Sequence, residues 1–193
     1  MKTIVWDVDD VLNDLMRDWF AGAWLPTHQE CKIIYEDIQQ NPPHDVLGIS
    51  REEYLKSLDA FRAAEGSKLL PVPEVYEWFQ RYGHLFRHAA LTAVPLRAAD
   101  ISAAWVMKHF GRWIRSFNVV PSPRPDDVHP RSTQTKKEFL ACWGPAHILI
   151  DDSLANVEGA QQLGMRGVLF PRPWNRSQTN RSETLEQLNA GKN

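Results

Sequence analysis

Apolar residues along the chain follow two periods, one typical of buried strands and one typical of amphipathic helices. Continuous apolar runs predict strands that begin at Ile4 and at residues 85–91, 116–120, 147–150 and 167–170. Apolar residues at helical spacing predict helices near residues 11–26, 50–65, 73–83, 98–110, 132–142 and 153–163, with a short polar helix around 183–188. The chain therefore contains both element types, in a largely alternating order.

The order of these elements predicts the fold class. From residue 73 onward strands alternate with helices, which is typical of βαβ units. We therefore expect an α/β fold, a Rossmann-like parallel sheet with helices on both faces. Residues 13–72 interrupt the alternation and predict a small, mostly helical cap inserted after the first strand, over a core domain of residues 1–12 and 73–193.

Composition and charge indicate which kinds of partner and which cellular compartment to expect. A chain of 193 residues fits one domain with a sizeable insertion, and its net charge of -2 gives no reason to expect a nucleic-acid polymer or a membrane as partner. Cys31 and Cys142 lack the spacing of metal ligands, so we expect free, half-buried thiols in a reducing compartment. The N-terminus shows neither a signal peptide nor a transmembrane run, and we expect a cytoplasmic protein.

Polar residues follow the predicted strands at the same end. Asp7 and Asp9 come after the first strand, Thr92 after the second, and the pair Asp151 and Asp152 after a later one. In parallel α/β sheets, ligands bind beyond the carboxyl ends of the strands. Clustered carboxylates repel one another unless a cation lies among them, and their hard oxygens suit Mg²⁺. An acidic turn with solvated side chains is the alternative, and the coincidence of three clusters on one edge argues against it.

These residue types can perform phosphoryl transfer. A carboxylate can attack phosphorus and form an aspartyl-phosphate, and a second carboxyl group two residues on can protonate the leaving oxygen and then activate water. A threonine hydroxyl and a lysine can stabilise the charge on the transferring group. Lys136 and Lys137 are both candidates for that lysine, because only one of two adjacent helical residues can face the site.

Four stretches, in order along the chain, resemble the four motifs of the haloacid dehalogenase-like hydrolases. They are Asp7-Val8-Asp9-Asp10-Val11-Leu12, Thr92, Lys136 and Ile150-Asp151-Asp152-Ser153. The resemblance implies that Asp7 is the nucleophile and Asp9 the general acid/base. It also implies that Thr92 and Lys136 bind the phosphoryl group. Mg²⁺ would be held by Asp7, Asp151 and Asp152, with Asp9 contributing through its backbone carbonyl.

A narrower resemblance links the chain to the 5′(3′)-deoxyribonucleotidases and their bacterial relatives. It rests on Lys68-Leu69-Leu70-Pro71, the Leu91-Thr92 strand end, the stretch Ala104 to Gly111, and Phe170 to Asn175. Two features depart from that group: Ala93 replaces the serine that typically follows the threonine, and residues 27–66 do not match the base-binding cap. The resemblance therefore implies a nucleoside monophosphate as one candidate substrate among small phosphorylated metabolites.

Several assignments have structural alternatives. Asp10 is interpreted as a turn residue, and Asp152 could merely be a charge that suits a helix N-terminus. Trp19 and Phe61 in the cap, and Trp174 and Asn175 after the last strand, are candidates to line the substrate site, with core packing as the alternative for the first two. Asn156 could orient Asp152.

The sequence analysis predicts a Mg²⁺-dependent phosphatase that acts on a small phosphate monoester. Phosphoryl transfer to another acceptor and other hydrolysis within the same family are alternatives, and a non-catalytic binding module is a further one. Asp9 argues against hydrolysis at carbon, which has no alkoxide to protonate. A receiver-type signalling domain also clusters Asp, Thr and Lys, but its acidic pair lies at the first strand and its phosphorylated Asp on a later one.

Overall fold

The computed structural model describes residues 1–122, 124, 135–144 and 146–189. These residues form one five-stranded sheet, in which every pairing between neighbouring strands is parallel. The strands are β1 (Thr3–Trp6), β2 (Arg87–Val94), β3 (Ile114–Pro121), β4 (Ile148–Asp151) and β5 (Arg166–Leu169). Their order across the sheet is β3-β2-β1-β4-β5, so β1 lies at the centre. The predicted parallel α/β sheet is confirmed.

Helices cover both faces of the sheet. The helices are α1 (Leu15–Trp19), α2 (Leu25–Thr27), α3 (His44–Leu47), α4 (Arg51–Glu65), α5 (Pro73–Tyr82), α6 (Ala99–Phe110), α7 (Lys136–Trp143), α8 (Leu154–Gln162) and α9 (Arg181–Asn189). Trp6 of β1 belongs to a core cluster that includes residues of α5, α6 and α9. Its neighbour Val5 points to the opposite face and packs with Leu140 of α7 and Ala160 of α8. The Rossmann-like layering predicted from the sequence is thus confirmed.

Local sequence explains where several helices begin. Ser50 caps α4 by accepting from the Glu53 amide, while the Glu53 carboxylate accepts from the Ser50 amide. Pro73 occupies the first turn of α5, where its missing N–H costs no hydrogen bond. Thr135 and Glu138 form a second capping box at the start of α7. Residues 132–134, which the sequence assigns to that helix, lie outside the described residues.

The chain between β1 and α1 differs from the predicted helix. The amides of Val11, Leu12 and Asn13 all donate hydrogen bonds to the Val8 carbonyl, and Asp10 has a left-handed φ of 61°. Because residues 8–13 form this tight turn, the first helix begins only at Leu15. A π-helical stretch, Phe20–Trp24, follows α1. β2 also runs further than expected, so Thr92 lies within the strand rather than at its end.

Segment 13–72 leaves and re-enters the rest of the chain at one place. Asn13 pairs with Pro71 in an isolated antiparallel bridge, and the Val72 amide donates to the Leu12 carbonyl at 2.9 Å. Its buried aromatic residues, including Trp19 and Tyr54, belong to the same core cluster as Trp6. The division of the chain into a core domain and a cap stays a prediction.

Two further expectations concern thiols and membranes. Cys31 and Cys142 are both free; Cys31 is half-buried as expected, whereas Cys142 is exposed. Among the described residues, none of the helices has the length and apolar character needed to cross a membrane.

Candidate active site

Three buried carboxylates meet at the carboxyl edge of the sheet. Asp7 follows β1, Asp151 is the last residue of β4, and Asp152 follows it. One oxygen from each of the three lies within 4.8 Å of the others. The Asp7 amide donates to the Ile150 carbonyl at 2.9 Å, which extends the β1–β4 pairing and fixes the distance between the two acidic turns. The sheet itself therefore builds this cluster.

Lys136 lies between these carboxylates. Its Nζ is 2.8 Å from Asp7 Oδ2 and 2.7 Å from Asp151 Oδ2, and its side chain is only 3% exposed. The neighbouring Lys137 points away and donates to Gln162. Of the two candidate lysines, the structure brings Lys136 to the carboxylates and leaves Lys137 outside. Its binding of a phosphoryl group stays a prediction.

Burial and charge together shift the pKa values in this cluster. Burial raises the pKa of Asp7 well above its usual range, the Lys136 ammonium opposes that rise, and the charges of Asp151 and Asp152 add to it. Burial, with the charges of Asp151 and Asp10, raises the pKa of Asp152 to about 7. Burial alone would lower the pKa of Lys136, but Asp151 and Asp7 raise it overall. The single positive charge of Lys136 is therefore not sufficient to balance the three buried carboxylates.

This donor set fits a divalent cation. With Asp7, Asp151 and Asp152 ionised and Lys136 protonated, the cluster carries a charge of -3 + 1 = -2. Carboxylate oxygens at this spacing are the ligands that Mg²⁺ prefers, and a dication would relieve the repulsion that raises the pKa values. The residues that could hold Mg²⁺ are thus Asp7, Asp151 and Asp152.

Asp9 lies apart from these three side chains. Its Oδ2 accepts from Arg62 Nη2 at 2.8 Å, and its Oδ1 accepts from Asn13 Nδ2 at 3.3 Å. The side chain is therefore not grouped with the candidate metal ligands. A metal contact through the Asp9 backbone carbonyl, which the family resemblance implies, stays a prediction.

Neighbouring polar groups orient the acidic pair after β4. Asn156 Nδ2 and the Ser153 amide both donate to Asp151 Oδ1 at 3.0 Å, so Asn156 contacts Asp151 rather than Asp152. Trp174 Nε1 donates to Asp152 Oδ2 at 2.8 Å, and Asn175 Nδ2 donates to the Asp152 carbonyl at 2.8 Å. The segment after β5 thus fixes both the side chain and the backbone carbonyl of Asp152.

A cavity of about 220 Å³ opens over the cluster. The predicted site residues Asp7, Asp9, Thr92, Lys136 and Asp152 line it. Residues of segment 13–72 and the strand ends complete its wall: Asp10, Leu15, Met16, Asn41, Pro42, Arg51, Tyr54, Leu55, Leu58, Arg62, Ala93, Ser122, Arg124 and Asn156. These five predicted residues therefore share one cavity.

The aromatic candidates occupy different places. Trp174 and Asn175 line an adjoining cavity of about 480 Å³ that also contacts Asp152. Trp19 is fully buried and donates to Ser57 Oγ at 3.0 Å, so it packs in the core rather than lining the cavity over the cluster. Phe61 is 9% exposed, also belongs to the core, and borders a separate cavity beside Gly22. For these two, core packing places the rings away from the site.

Arg172 is a buried residue that the sequence did not indicate. Its Nε donates to the Asp10 carbonyl at 2.6 Å, its Nη2 donates to the Asn13 carbonyl at 3.1 Å, and its Nη1 contacts Asp14. These bonds hold the turn that presents Asp9. Burial raises the pKa of Asp10 to about 7, although the Arg172 guanidinium opposes that rise. No local pattern marks the partnership, because 162 residues separate Arg172 from Asp10.

Comparison with known proteins places the fold. No family model and no curated protein matches the chain. A hydrolase from Streptococcus pneumoniae is 15% identical, with a TM-score of 0.63 over 98% of this chain and 100% of that one. Protein tyrosine kinase A of Mycobacterium tuberculosis is 16% identical, with a TM-score of 0.61 over 92% and 87%. The HAD-hydrolase YfnB of Bacillus subtilis, solved bound to magnesium, is 16% identical, with a TM-score of 0.60 over 100% and 98%.

At these identities the likeness shows the fold alone. The structural neighbours include hydrolases of the haloacid dehalogenase-like superfamily, whose α/β fold this chain shares. The sequence motifs predicted this family, and the structural neighbours agree with that prediction at the level of the fold.

Proposed function

We propose that the protein is a Mg²⁺-dependent phosphatase that hydrolyses a small phosphate monoester through an aspartyl-phosphate on Asp7. One observation carries the proposal: the three buried carboxylates of Asp7, Asp151 and Asp152 converge with Lys136 at the floor of a cavity that Thr92 also lines. Such a concentration of charged groups is costly unless a cation and a charged substrate use it. The hydrolases among the structural neighbours support the same class of reaction.

In this proposal the chain supplies the nucleophile and the proton donor. A carboxylate oxygen of Asp7 attacks phosphorus and the ester oxygen departs with the bonding electrons, taking a proton from Asp9. Asp9 then accepts a proton from water as the water attacks the phosphorus of the aspartyl-phosphate, which releases phosphate and restores Asp7. Thr92 and Lys136 donate hydrogen bonds to the phosphoryl oxygens. Mg²⁺ held by Asp7, Asp151 and Asp152 would supply positive charge against the phosphoryl oxygens.

Cavity size bears on the substrate. Its volume of about 220 Å³ is below the range of about 300–1,000 Å³ that is usual for sites of drug-sized ligands. A compact phosphate ester therefore suits this cavity best. A nucleoside monophosphate, which the narrower resemblance suggests, would need space beyond it, for instance toward the adjoining cavity beside Trp174. The substrate panel below includes both kinds of compound.

The test is phosphate release from a panel of sugar phosphates, nucleoside monophosphates and short-chain phosphate esters, with and without Mg²⁺. We expect release that depends on Mg²⁺ and is abolished in Asp7→Asn, whose circular dichroism remains that of the native protein. The matched control is Asp100→Asn, an exposed carboxylate on α6, which should keep full activity. Absence of release across the panel, or full activity of Asp7→Asn, would refute the proposal.

Phosphoryl transfer to another acceptor is the second candidate. It is favoured by the fold similarity to a protein described as a tyrosine kinase, and it would use the same aspartyl-phosphate. Product analysis separates the two reactions. Transfer gives a new phosphate ester when an alcohol is added, whereas hydrolysis gives only inorganic phosphate.

A further inference from the structure

One face of α4 forms a wall of the cavity over the acidic cluster. Arg51, Tyr54, Leu55, Leu58 and Arg62 line the cavity and follow helical spacing along one side of α4. The middle of this face is largely apolar. Arg62 stands at the end beside Asp9, the proposed proton donor.

Arg62 has more hydrogen-bonding capacity than its protein partners use. A guanidinium carries five N–H donors. Nη2 donates to Asp9 Oδ2 at 2.8 Å and Nη1 donates to Asp59 Oδ1 at 3.1 Å. Among the described residues, its buried Nε finds no partner, although the side chain is only 11% exposed. Three of the five N–H donors of this nearly buried cation, which lines the cavity, therefore remain without a partner among the described residues.

The position of Arg62 is fixed from behind. Asp59, one turn earlier on α4, accepts from Arg62 Nη1 and also from Arg124 Nε at 2.7 Å and Nη2 at 2.9 Å. Burial opposes ionisation of Asp59, but its bonds and its attraction to Arg124, and then to Arg62 and Arg97, hold its pKa below the usual range. A charged carboxylate thus aligns the guanidinium plane and limits the freedom that binding would otherwise remove.

We propose that Arg62 determines specificity by binding an acidic group, a carboxylate or a second phosphate, on the alcohol part of the phosphate monoester. This inference rests on the proposed phosphatase function. A guanidinium binds such anionic oxygens through charge-assisted hydrogen bonds. The under-used donors of Arg62 are those that the acidic group would engage.

Geometry limits where the acidic group lies on the substrate. Asp9 must reach the leaving oxygen by a hydrogen bond, and Arg62 lies one further hydrogen bond away at 2.8 Å. Hydrogen bonds in series thus connect the ester oxygen to Asp9, Asp9 to Arg62, and Arg62 to the acidic group, which favours an acidic group only a few bonds from the ester oxygen.

The test compares esters that differ only in the acidic group. One pair is the phosphate ester of 3-hydroxypropanoate and that of 3-hydroxypropanamide. The other is 1,3-propanediol bisphosphate and the corresponding monophosphate. We expect at least one acidic ester to exceed its neutral partner in kcat/KM by about tenfold or more. The pair that shows the preference identifies carboxylate or phosphate as the preferred group.

Arg62→Gln should reduce this preference ratio to near one. Because both esters of a pair use the same chemistry, any effect of the substitution on Asp9 cancels from the ratio. The matched control is Lys56→Gln, which removes an exposed charge from α4 and should leave the ratio unchanged. Equal kcat/KM values within both pairs in the native protein, or an unchanged preference in Arg62→Gln, would overturn the assignment.

A binding measurement keeps the two proposals distinguishable. Isothermal titration calorimetry with 3-phosphonopropanoate, propane-1,3-diphosphonate and propylphosphonate in the presence of Mg²⁺ requires no turnover. We expect at least one of the two acidic phosphonates to bind about tenfold more tightly than propylphosphonate to the native protein, and about equally with it to Arg62→Gln. Equal binding of all three compounds to the native protein contradicts the role of Arg62. Absence of phosphate release from every ester contradicts the phosphatase proposal itself.

Discussion

At the residue scale, Lys136 bears most directly on the charge of the site. Its ammonium contacts Asp7 and Asp151 at 2.8 and 2.7 Å in a buried environment. Lys136→Gln removes this positive charge and a donor to the phosphoryl group, so we expect phosphate release to fall by about 10² or more. Lys137→Gln is the matched control, because its side chain bonds Gln162 outside the cluster, and it should stay near native activity. Equal losses in both variants would contradict the assignment.

Trp174 provides a second prediction at this scale. Its indole N–H donates to Asp152 Oδ2 at 2.8 Å, which orients a candidate metal ligand. Trp174→Phe keeps the ring but loses the donor, so we expect the Mg²⁺ concentration for half-maximal activity to rise about tenfold. Trp143→Phe, on a half-buried ring of α7 packed against Phe139, should not change it. An unchanged Mg²⁺ requirement in Trp174→Phe would show that this hydrogen bond does not tune the site.

The site residues that could be predicted from sequence are those that lie at or near the carboxyl end of a predicted strand. Asp7 and Asp151 were found because a parallel sheet brings the ends of its strands together, whatever their separation along the chain. Thr92 lies two residues before the end of β2, close enough to reach the same cavity. Arg62 and Arg172 could not be found in this way. Their partners Asp9 and Asp10 lie 53 and 162 residues away, and no periodicity in the sequence encodes a contact between a helix or a tail and a loop.

At the scale of elements, helical periodicity failed where tertiary contacts override it. Val11 and Leu12 continue the apolar spacing of the first helix, yet they belong to the turn before it. Asp10 adopts a left-handed φ of 61°, and Arg172 binds its carbonyl from the far end of the chain. Such a conformation costs about 1–3 kcal/mol and needs support from the surrounding structure. The turn that presents Asp9 is therefore a tertiary feature, invisible to local pattern.

His88 connects three elements and yields a prediction about pH. Trp6 Nε1 of β1 donates to His88 Nδ1 on β2 at 3.0 Å, while His88 Nε2 lies 2.8 Å from the Gly83 carbonyl at the end of α5. Burial lowers the pKa of His88 from 6.5 to about 4, against the effect of the Gly83 bond. Between these pH values the unfolded chain binds a proton that the folded one does not. The stabilisation is therefore complete above pH 6.5 and is lost as pH falls toward 4.

The size of this effect is about 3 kcal/mol across that interval, from about 1.4 kcal/mol per pKa unit. Urea unfolding of the native protein and of His88→Gln measures it, because glutamine can offer both an acceptor and a donor but does not titrate. We expect the stability difference between the two proteins to shrink by this amount from pH 6.5 to pH 4. His84→Gln, an exposed neighbour, serves as control. Parallel stability curves for the native protein and His88→Gln would exclude a buried neutral histidine.

At the scale of the whole molecule, ion pairs connect segment 13–72 to the carboxyl edge of the sheet. Asp59 on α4 bonds Arg124 after β3 and Arg97 before α6, and Arg62 bonds Asp9 after β1. The sequence predicted a helical insertion over this edge from the interruption in the βαβ order alone. It could not predict what holds the segment down, because the paired residues come from distant parts of the chain. That residues 13–72 form a cap distinct from the core domain remains a proposal.

Asp59→Asn tests that proposal. The substitution leaves the guanidinium groups of Arg62 and Arg124 near each other without the carboxylate that both bond. Breaking a partly buried, charge-assisted network costs about 1–3 kcal/mol. If segment 13–72 opens as a unit, this cost falls on α4, and the amides of residues 51–65 should exchange with deuterium about tenfold faster. Amides of β1 and β4 should be unchanged, because these two strands pair with each other and none of the ion pairs of Asp59 involves them.

Hydrogen exchange followed by mass spectrometry resolves these regions in one experiment. Glu52→Gln is the matched control, since it removes an exposed carboxylate from the same helix without touching the ion pairs. Faster exchange across all peptides of Asp59→Asn would mean that the chain unfolds as one cooperative body, and unchanged exchange in α4 would mean that the ion pairs do not hold it. Only selective loosening of α4 fits a cap that is held over the Asp7 cluster through Asp59 and Arg62. Access to the site would then depend on the same arginine that we propose binds the acidic group of the substrate.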